Sequence, residues 1–253
     1  MAVTAYTLFS SSKGNSSYFT DGTTSFLIDA GGSGKRIEEA LRSLDASPCD
    51  ISAIFITHEH SDHTDGLKGL CRKAAPVIHT VSSAAEYIEA PGIVTHERIY
   101  EAKLGAFKIK SFATSHDSIC SVGYVIEHES GVRIGSMTDT GCVSEEMADA
   151  LEGCYAVIIE SNYDERMLKY GPYPPELKRR IASEHGHLSN AQCAEALPRL
   201  YKNGVRRVLL AHISPENNTP EIAFDCADSA IKRYSLTGMS AEPADRYGIT
   251  RLI

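Results

Sequence analysis

Ile51 to Ile56 is an apolar, β-branched run with the composition of a buried strand, and it leads directly into Thr57-His58-Glu59-His60-Ser61-Asp62-His63. A fold that accepts both must bury the run in a sheet and open the end of that strand onto a polar site. Three imidazoles and a carboxylate fall within six residues, and these are ligands suited to divalent cations. Alternate residues at a strand end face the same way, so His58 and His60 are expected to share one ion. A turn then swings Asp62 and His63 toward a second.

The rest of the chain repeats this arrangement. Ala5 to Ser10, Ser17 to Thr20 and Ser25 to Asp29 read as strands, with Asp21-Gly22 as the turn between the last two. Gly31, Gly32 and Gly34 precede a helix near Lys35 to Leu44. Phe107 to Thr114, Ser121 to Glu127 and Val132 to Met137, with a Ser130-Gly131 turn, suggest a meander. Helices are expected near Glu145 to Leu151, Pro175 to Ala182 and Ala191 to Tyr201. Strands at Ala156 to Glu160 and Arg207 to Ala211 deliver Glu160 and His212 at their ends. The alternation points to an α/β fold, and the absence of a repeat or linker to one domain over residues 1–253.

Composition narrows the function classes. No segment has the apolar length of a membrane span, and the N-terminus lacks a signal-peptide pattern. The seven cysteines are odd in number, scattered and never spaced Cys-x-x-Cys, which fits a reducing cytoplasm and excludes a thiolate zinc site. A net charge of −8 argues against non-specific nucleic-acid binding, although bound cations make the local potential more positive than the total. Oligomeric state is open, and a homo-oligomer is compatible with the sequence.

The His58 to His63 segment resembles the His-x-His-x-Asp-His signature of the metallo-β-lactamase superfamily, and the resemblance spans nearly the whole chain. Phe26 to Gly31, Ser115-His116-Asp117, Thr138-Asp139-Thr140-Gly141 and Leu210-Ala211-His212-Ile213-Ser214 follow in the family's order. The resemblance implies an αββα four-layer sandwich holding two divalent ions, zinc or manganese, with iron also compatible. By position it assigns His58, His60 and His116 to one ion and Asp62, His63 and His212 to the other, with Asp139 bridging them and Asp29 orienting the ligands from behind. Such a pair generates a metal-bound hydroxide as nucleophile, with Asp62 orienting it or accepting its proton.

The superfamily handles lactams, thioesters and phosphodiesters, so the fold does not choose the substrate. Val157 to Asp164 and Glu184 to Asn190 resemble the glutamate and histidine segments of its phosphodiesterase and nuclease branch. There a histidine, here His187, protonates the leaving oxygen, and a glutamate, here Glu160, orients it. Ser11 to Ser17, Tyr170 to Pro174, Gly186 to Asn190 and His212 to Asn218 are similar to the bacterial YycJ/WalJ-type group, which implies 5′ to 3′ exonuclease action on DNA. A small or cyclic phosphodiester is the alternative substrate. A thioesterase or lactamase would leave His187 and Glu160 without a task. Gly14 to Ser17 offer donors to a phosphate or form a plain turn, His185 reads as a loop residue, and Lys178-Arg179-Arg180 either tracks a nucleic-acid backbone or, as such runs more often do, forms a solvated helix face. Between Asp139 and His212 lie 72 residues, too few for the inserted domain of β-CASP enzymes. The 52 residues between His63 and His116 hold no basic arm of the tRNA 3′-processing kind.

Overall fold

The computed structural model describes residues 2–253. One seven-stranded sheet comprises β1 (Thr4–Ser11), β2 (Gly14–Thr20), β3 (Ser25–Ile28), β4 (Ile51–Phe55), β5 (Val77–Val81), β6 (Ile93–His96) and β14 (Thr250–Arg251), in the order β14-β1-β2-β3-β4-β5-β6. The other comprises β7 (Glu101–Leu104), β8 (Phe107–Ala113), β9 (Val122–His128), β10 (Arg133–Met137), β11 (Ala156–Glu160), β12 (Arg207–Ala211) and β13 (Ser240–Pro243), in sequence order. Each sheet starts as an antiparallel meander and becomes parallel partway across. The change falls at β3 in the first and at β10 in the second.

The helices are α1 (Gly34–Arg42), α2 (Ser61–Thr64), α3 (Leu67–Leu70), α4 (Ser82–Ala85), α5 (Glu145–Ala150), α6 (Glu165–Tyr170), α7 (Pro175–Ile181), α8 (Asn190–Lys202) and α9 (Pro220–Arg233). Three apolar layers hold them. Phe26, Phe55 and Ala53 of the first sheet meet Phe107, Tyr124, Ile126 and Ile158 of the second in a fully buried central layer. Ile37, Leu41, Leu67 and Leu70 cover the outer face of the first sheet, and Met147, Leu197, Leu200 and Ala227 that of the second. The strands are therefore buried on both faces, which explains their continuous apolar runs. The result is the αββα sandwich expected from the sequence.

The elements named from sequence form with ends shifted by a few residues, and both expected turns join antiparallel strands. One local expectation fails. β4 ends at Phe55, so His58 and His60 do not sit at alternating strand positions: they occupy the following loop, and Asp62 and His63 lie on the single turn of α2. Strands β5, β6, β7, β13 and β14, the short helices α2, α3, α4 and α6, and helix α9 carried no expectation. β6, β7 and β13 are half-exposed edge segments of four residues, such as Glu-Ala-Lys-Leu, too short for their alternation to mark them. α9 buries mainly Ala223, Ala227 and Ala230, a face too small to register as an apolar stripe.

Candidate metal centre

Asp29, His58, Asp139, Glu160 and His212 sit at or just beyond the C-terminal ends of strands in the parallel parts of the sheets, while His116 follows the antiparallel β8 and His187 precedes α8. The C-terminal ends of parallel strands are where α/β folds place their sites. Asp29 follows β3, Asp139 follows β10 and His212 follows β12, and all three hold left-handed backbone angles, with φ of 60°, 54° and 54°. Such angles are uncommon for non-glycine residues, and each aims its side chain at the gap between the sheets. Gly31 serves the same geometry from the other side. A Cβ there would lie 1.7 Å from the Asp62 carbonyl oxygen, so only glycine lets α2 approach.

Two ligand sets meet in the gap. His58, His60 and His116 present nitrogens within 4.8 Å of one another, as do the ligand atoms of Asp62, His63 and His212. Asp139 lies between the sets, with Oδ2 3.1 Å from His63 Nε2 and Oδ1 3.9 Å from His116 Nε2. The structure thus brings together all seven residues that the sequence proposes as ligands. The imidazoles converge closely: His58 Nε2 stands 3.1 Å and His116 Nε2 3.3 Å from His60 Nδ1.

Hydrogen bonds through Nδ1 fix how the rings are turned. Asp29 Oδ2 accepts from His63 Nδ1 at 2.7 Å, and both Asp29 oxygens take contacts from the Thr57 hydroxyl, at 3.1 and 2.9 Å. A carboxylate only accepts, so the Thr57 proton goes to Asp29 and the Thr57 oxygen accepts from His58 Nδ1, 2.9 Å away. Glu160 does the same in the second sheet. Its Oε1 accepts from His212 Nδ1 and His187 Nδ1, each at 2.8 Å, and its Oε2 from the Thr140 and Leu188 amides. His116 Nδ1 donates to the Gly186 carbonyl at 2.9 Å. His58, His63, His116 and His212 each have Nδ1 engaged, which fixes the ring and turns Nε2 toward the gap, the orientation a cation needs.

Charge tells the same story. Burial disfavours ionisation of Asp62 and Asp139, but His63 and His212 beside them hold both carboxyls well below the usual range. Burial likewise opposes charge on His63 and His212, and the surrounding carboxylates overcome it and raise both. His58, buried and next to His63, is pushed well down. The carboxylates call for positive charge that protons meet only in part. His212 Nε2 and Asp139 Oδ2 are buried without a hydrogen-bond partner. A divalent cation supplies the missing charge and partners, so the residues fit a metal centre.

Some support was not foreseen. Asn15 Nδ2 donates to Asp62 Oδ2 at 3.2 Å and to the Ser11 carbonyl at 3.0 Å, and Ser10 Oγ bonds both Asn15 Oδ1 and the His212 amide. Asn15 and Ser10 are thus engaged internally, while Ser12 is exposed in the hollow beside His187. Asn162 Nδ2 donates to the His212 carbonyl, and Asn218 Nδ2 to the Ser161 and Asn162 carbonyls, bracing the ends of β11 and β12. Lys178 donates to the Lys169 and Gly171 carbonyls and Arg180 pairs with Asp117, so two members of the basic run have specific partners. His185 is an exposed loop residue.

A family model described as the Beta-lactamase superfamily domain matches residues 24–213. This chain belongs to the β-lactamase superfamily. Within it, the chain is 36% identical over 225 residues to exodeoxyribonuclease WalJ of Streptococcus pneumoniae serotype 2, covering 85% of this chain and 83% of that protein. Exodeoxyribonuclease YycJ of Bacillus anthracis is 34% identical over 223 residues, covering 85% and 84%. The crystal structure of the metallo-β-lactamase fold protein YhfI from Bacillus subtilis superposes with a TM-score of 0.75 over 99% of this chain and 100% of that one, at 14% identity. Superfamily membership and the convergent histidines make the chain a metal-dependent hydrolase, and among the described residues no helix is long and apolar enough to cross a membrane.

Proposed function

We propose that this hydrolase holds two divalent ions and removes nucleotides from DNA in the 5′ to 3′ direction. The observation that carries the reading is the buried Glu160 carboxylate bonded to His187 Nδ1 at 2.8 Å, beside the ligand cluster. Lactam or thioester hydrolysis gives such a pair nothing to do, whereas a departing sugar alkoxide needs a proton. The names of WalJ and YycJ support DNA as the substrate.

His58, His60 and His116 would hold one ion and Asp62, His63 and His212 the other, with Asp139 shared. Bound there, zinc or manganese supplies a water acidic enough to attack near neutral pH and positive charge opposite the phosphoryl oxygens. The chain's own residues complete the reaction. Asp62 and His187 have side chains 22% and 21% exposed, against 4% or less for Asp29, His63, Asp139, Glu160 and His212, so those two face substrate. Asp62, steadied by Asn15, orients the attacking water. Burial disfavours a charged His187, but Glu160 raises its pKa, keeping the imidazolium available to protonate the leaving oxygen through Nε2.

The test is hydrolysis of a 5′-phosphorylated DNA duplex beside bis-p-nitrophenyl phosphate, with zinc and manganese compared and Asp62→Ala as control. Stepwise loss of nucleotides from the 5′ end, absent in the variant, supports the exonuclease. Turnover of the small diester alone replaces it with a small-substrate phosphodiesterase.

A further inference from the structure

Two hollows border the histidine cluster. The smaller, about 150 Å³, is lined by His187, Arg180, Asp117, Tyr173 and other polar groups. The larger, about 590 Å³, has His116 in its wall, along with Thr114, Ser118, Ile99, Ile119 and His185. The larger has the volume of an ordinary small-ligand site.

Its chemistry favours neutral groups over a phosphate. Arg98 is the cation of its lining, and two of its guanidinium nitrogens are engaged by backbone: Nε and Nη2 donate to the Ser121 carbonyl and Nη2 to the Thr114 carbonyl, at 3.3, 3.1 and 2.7 Å. Glu146 adds a carboxylate. The cavity does ask for neutral hydrogen-bonding groups. Thr114, only 3% exposed, and Ser118 have buried hydroxyls with no partner, a costly state that a ligand's hydroxyl, carbonyl or amine relieves. Apolar surface is on offer as well, since Ile99 and Ile119 are 62% and 53% exposed. The Ile119 amide donates to Glu59 Oε1 at 2.9 Å, which ties this wall to the segment carrying His58 and His60.

We propose that this cavity receives the base and deoxyribose of the terminal nucleotide while the phosphate to be cleaved lies at the histidine cluster. The inference rests on the phosphodiesterase reading and adds where a substrate's uncharged part goes. Thr114 and Ser118 bond the nucleoside's polar edge, and Ile99 and Ile119 contact its faces. A base enters only after leaving its stack, so the enzyme acts most readily on frayed or mismatched ends.

The experiment compares 5′-phosphorylated DNA ending in thymidine with the same strand ending in an abasic deoxyribose analogue, for wild type, Thr114→Val and Ile119→Glu. In parallel, deoxythymidine 5′-monophosphate and inorganic phosphate are titrated calorimetrically into the metal-loaded proteins. Wild type should prefer the thymidine end and the mononucleotide by about tenfold, the worth of one or two such contacts, and both preferences should collapse in the variants. A wild type that treats the two ends alike, or variants that keep the preference, overturns the cavity assignment. If wild type cleaves no diester, the phosphodiesterase reading fails by itself, and the mononucleotide titration still decides what the cavity binds.

Discussion

Replacing His187 by alanine separates proton donation from every other role of the site. The imidazole has one partner on its Nδ1 side, Glu160 Oε1, and Glu160 keeps His212 and the Thr140 and Leu188 amides when it is lost. The ligand sets stay intact, and removal of one charged hydrogen bond costs about 1.5–3 kcal/mol of stability. General acid catalysis contributes about 10²- to 10⁴-fold, or about 2.7–5.4 kcal/mol of barrier. That loss should fall on kcat for DNA, whose leaving group is a strongly basic alkoxide. Bis-p-nitrophenyl phosphate loses a stabilised phenolate that needs no proton, so its turnover should change by less than about tenfold. Single-turnover rates on both substrates, with metal content measured on the same samples, give the answer. Equal losses on the two substrates would refute proton donation and recast His187 as a residue that merely shapes the site.

Thr57→Val removes the oxygen that accepts from His58 Nδ1 and leaves the direct Asp29 to His63 bond, so metal affinity should drop about 10- to 100-fold for the His58 set alone, with Thr57→Ser restoring it; competition against a chromophoric chelator reads both sites. Stripping metal should lower the melting temperature by about 5–11 °C, the effect of a ligand at a hundred times its Kd on a chain of this size, and added zinc or manganese should reverse it in calorimetry. Burial and the neighbouring His96 hold His79 at about 4, below its unfolded value of 6.5. The unfolded chain therefore takes up the proton first, so this group's contribution is complete above 6.5 and is lost as pH falls toward 4; the urea midpoint of His79→Phe should depend less on pH across that window than that of wild type. Gly31→Ala should cost at least about 2 kcal/mol in urea unfolding, because the new methyl meets the Asp62 carbonyl, and an unchanged midpoint would show that α2 can retreat.

Much of this was readable from residues alone. Runs such as Ala156 to Glu160 are apolar because both sheet faces are covered, and that composition marks them without any structure. The side chains of the centre lie up to 154 positions apart, from His58 to His212, and their grouping followed from family order rather than from local pattern. What escaped was of three kinds. Edge strands such as Glu101–Leu104 carry charge on purpose-free surface and have no signature. The supporting atoms, Asn15, Thr57 and Asn162, are common polar residues whose importance comes from the proton each gives or takes, a property fixed only by three-dimensional neighbours. The loop geometry of His58 and His60 escaped because strand ends are set by where pairing stops, here at Phe55, and not by side-chain identity.

The division of the ligands between the two sheets has a consequence for how the protein comes into being on the ribosome. His58, His60, Asp62 and His63 are made early, whereas His116, Asp139 and His212 belong to the second sheet and emerge later. Synthesis at about 5–20 residues per second separates His63 from His212 by about 7–30 s. During that interval the nascent chain displays an incomplete set of imidazoles that any passing cation can visit and leave. Only the arrival of β12 brings His212 to the site, so the full ligand set exists only once the two sheets have met.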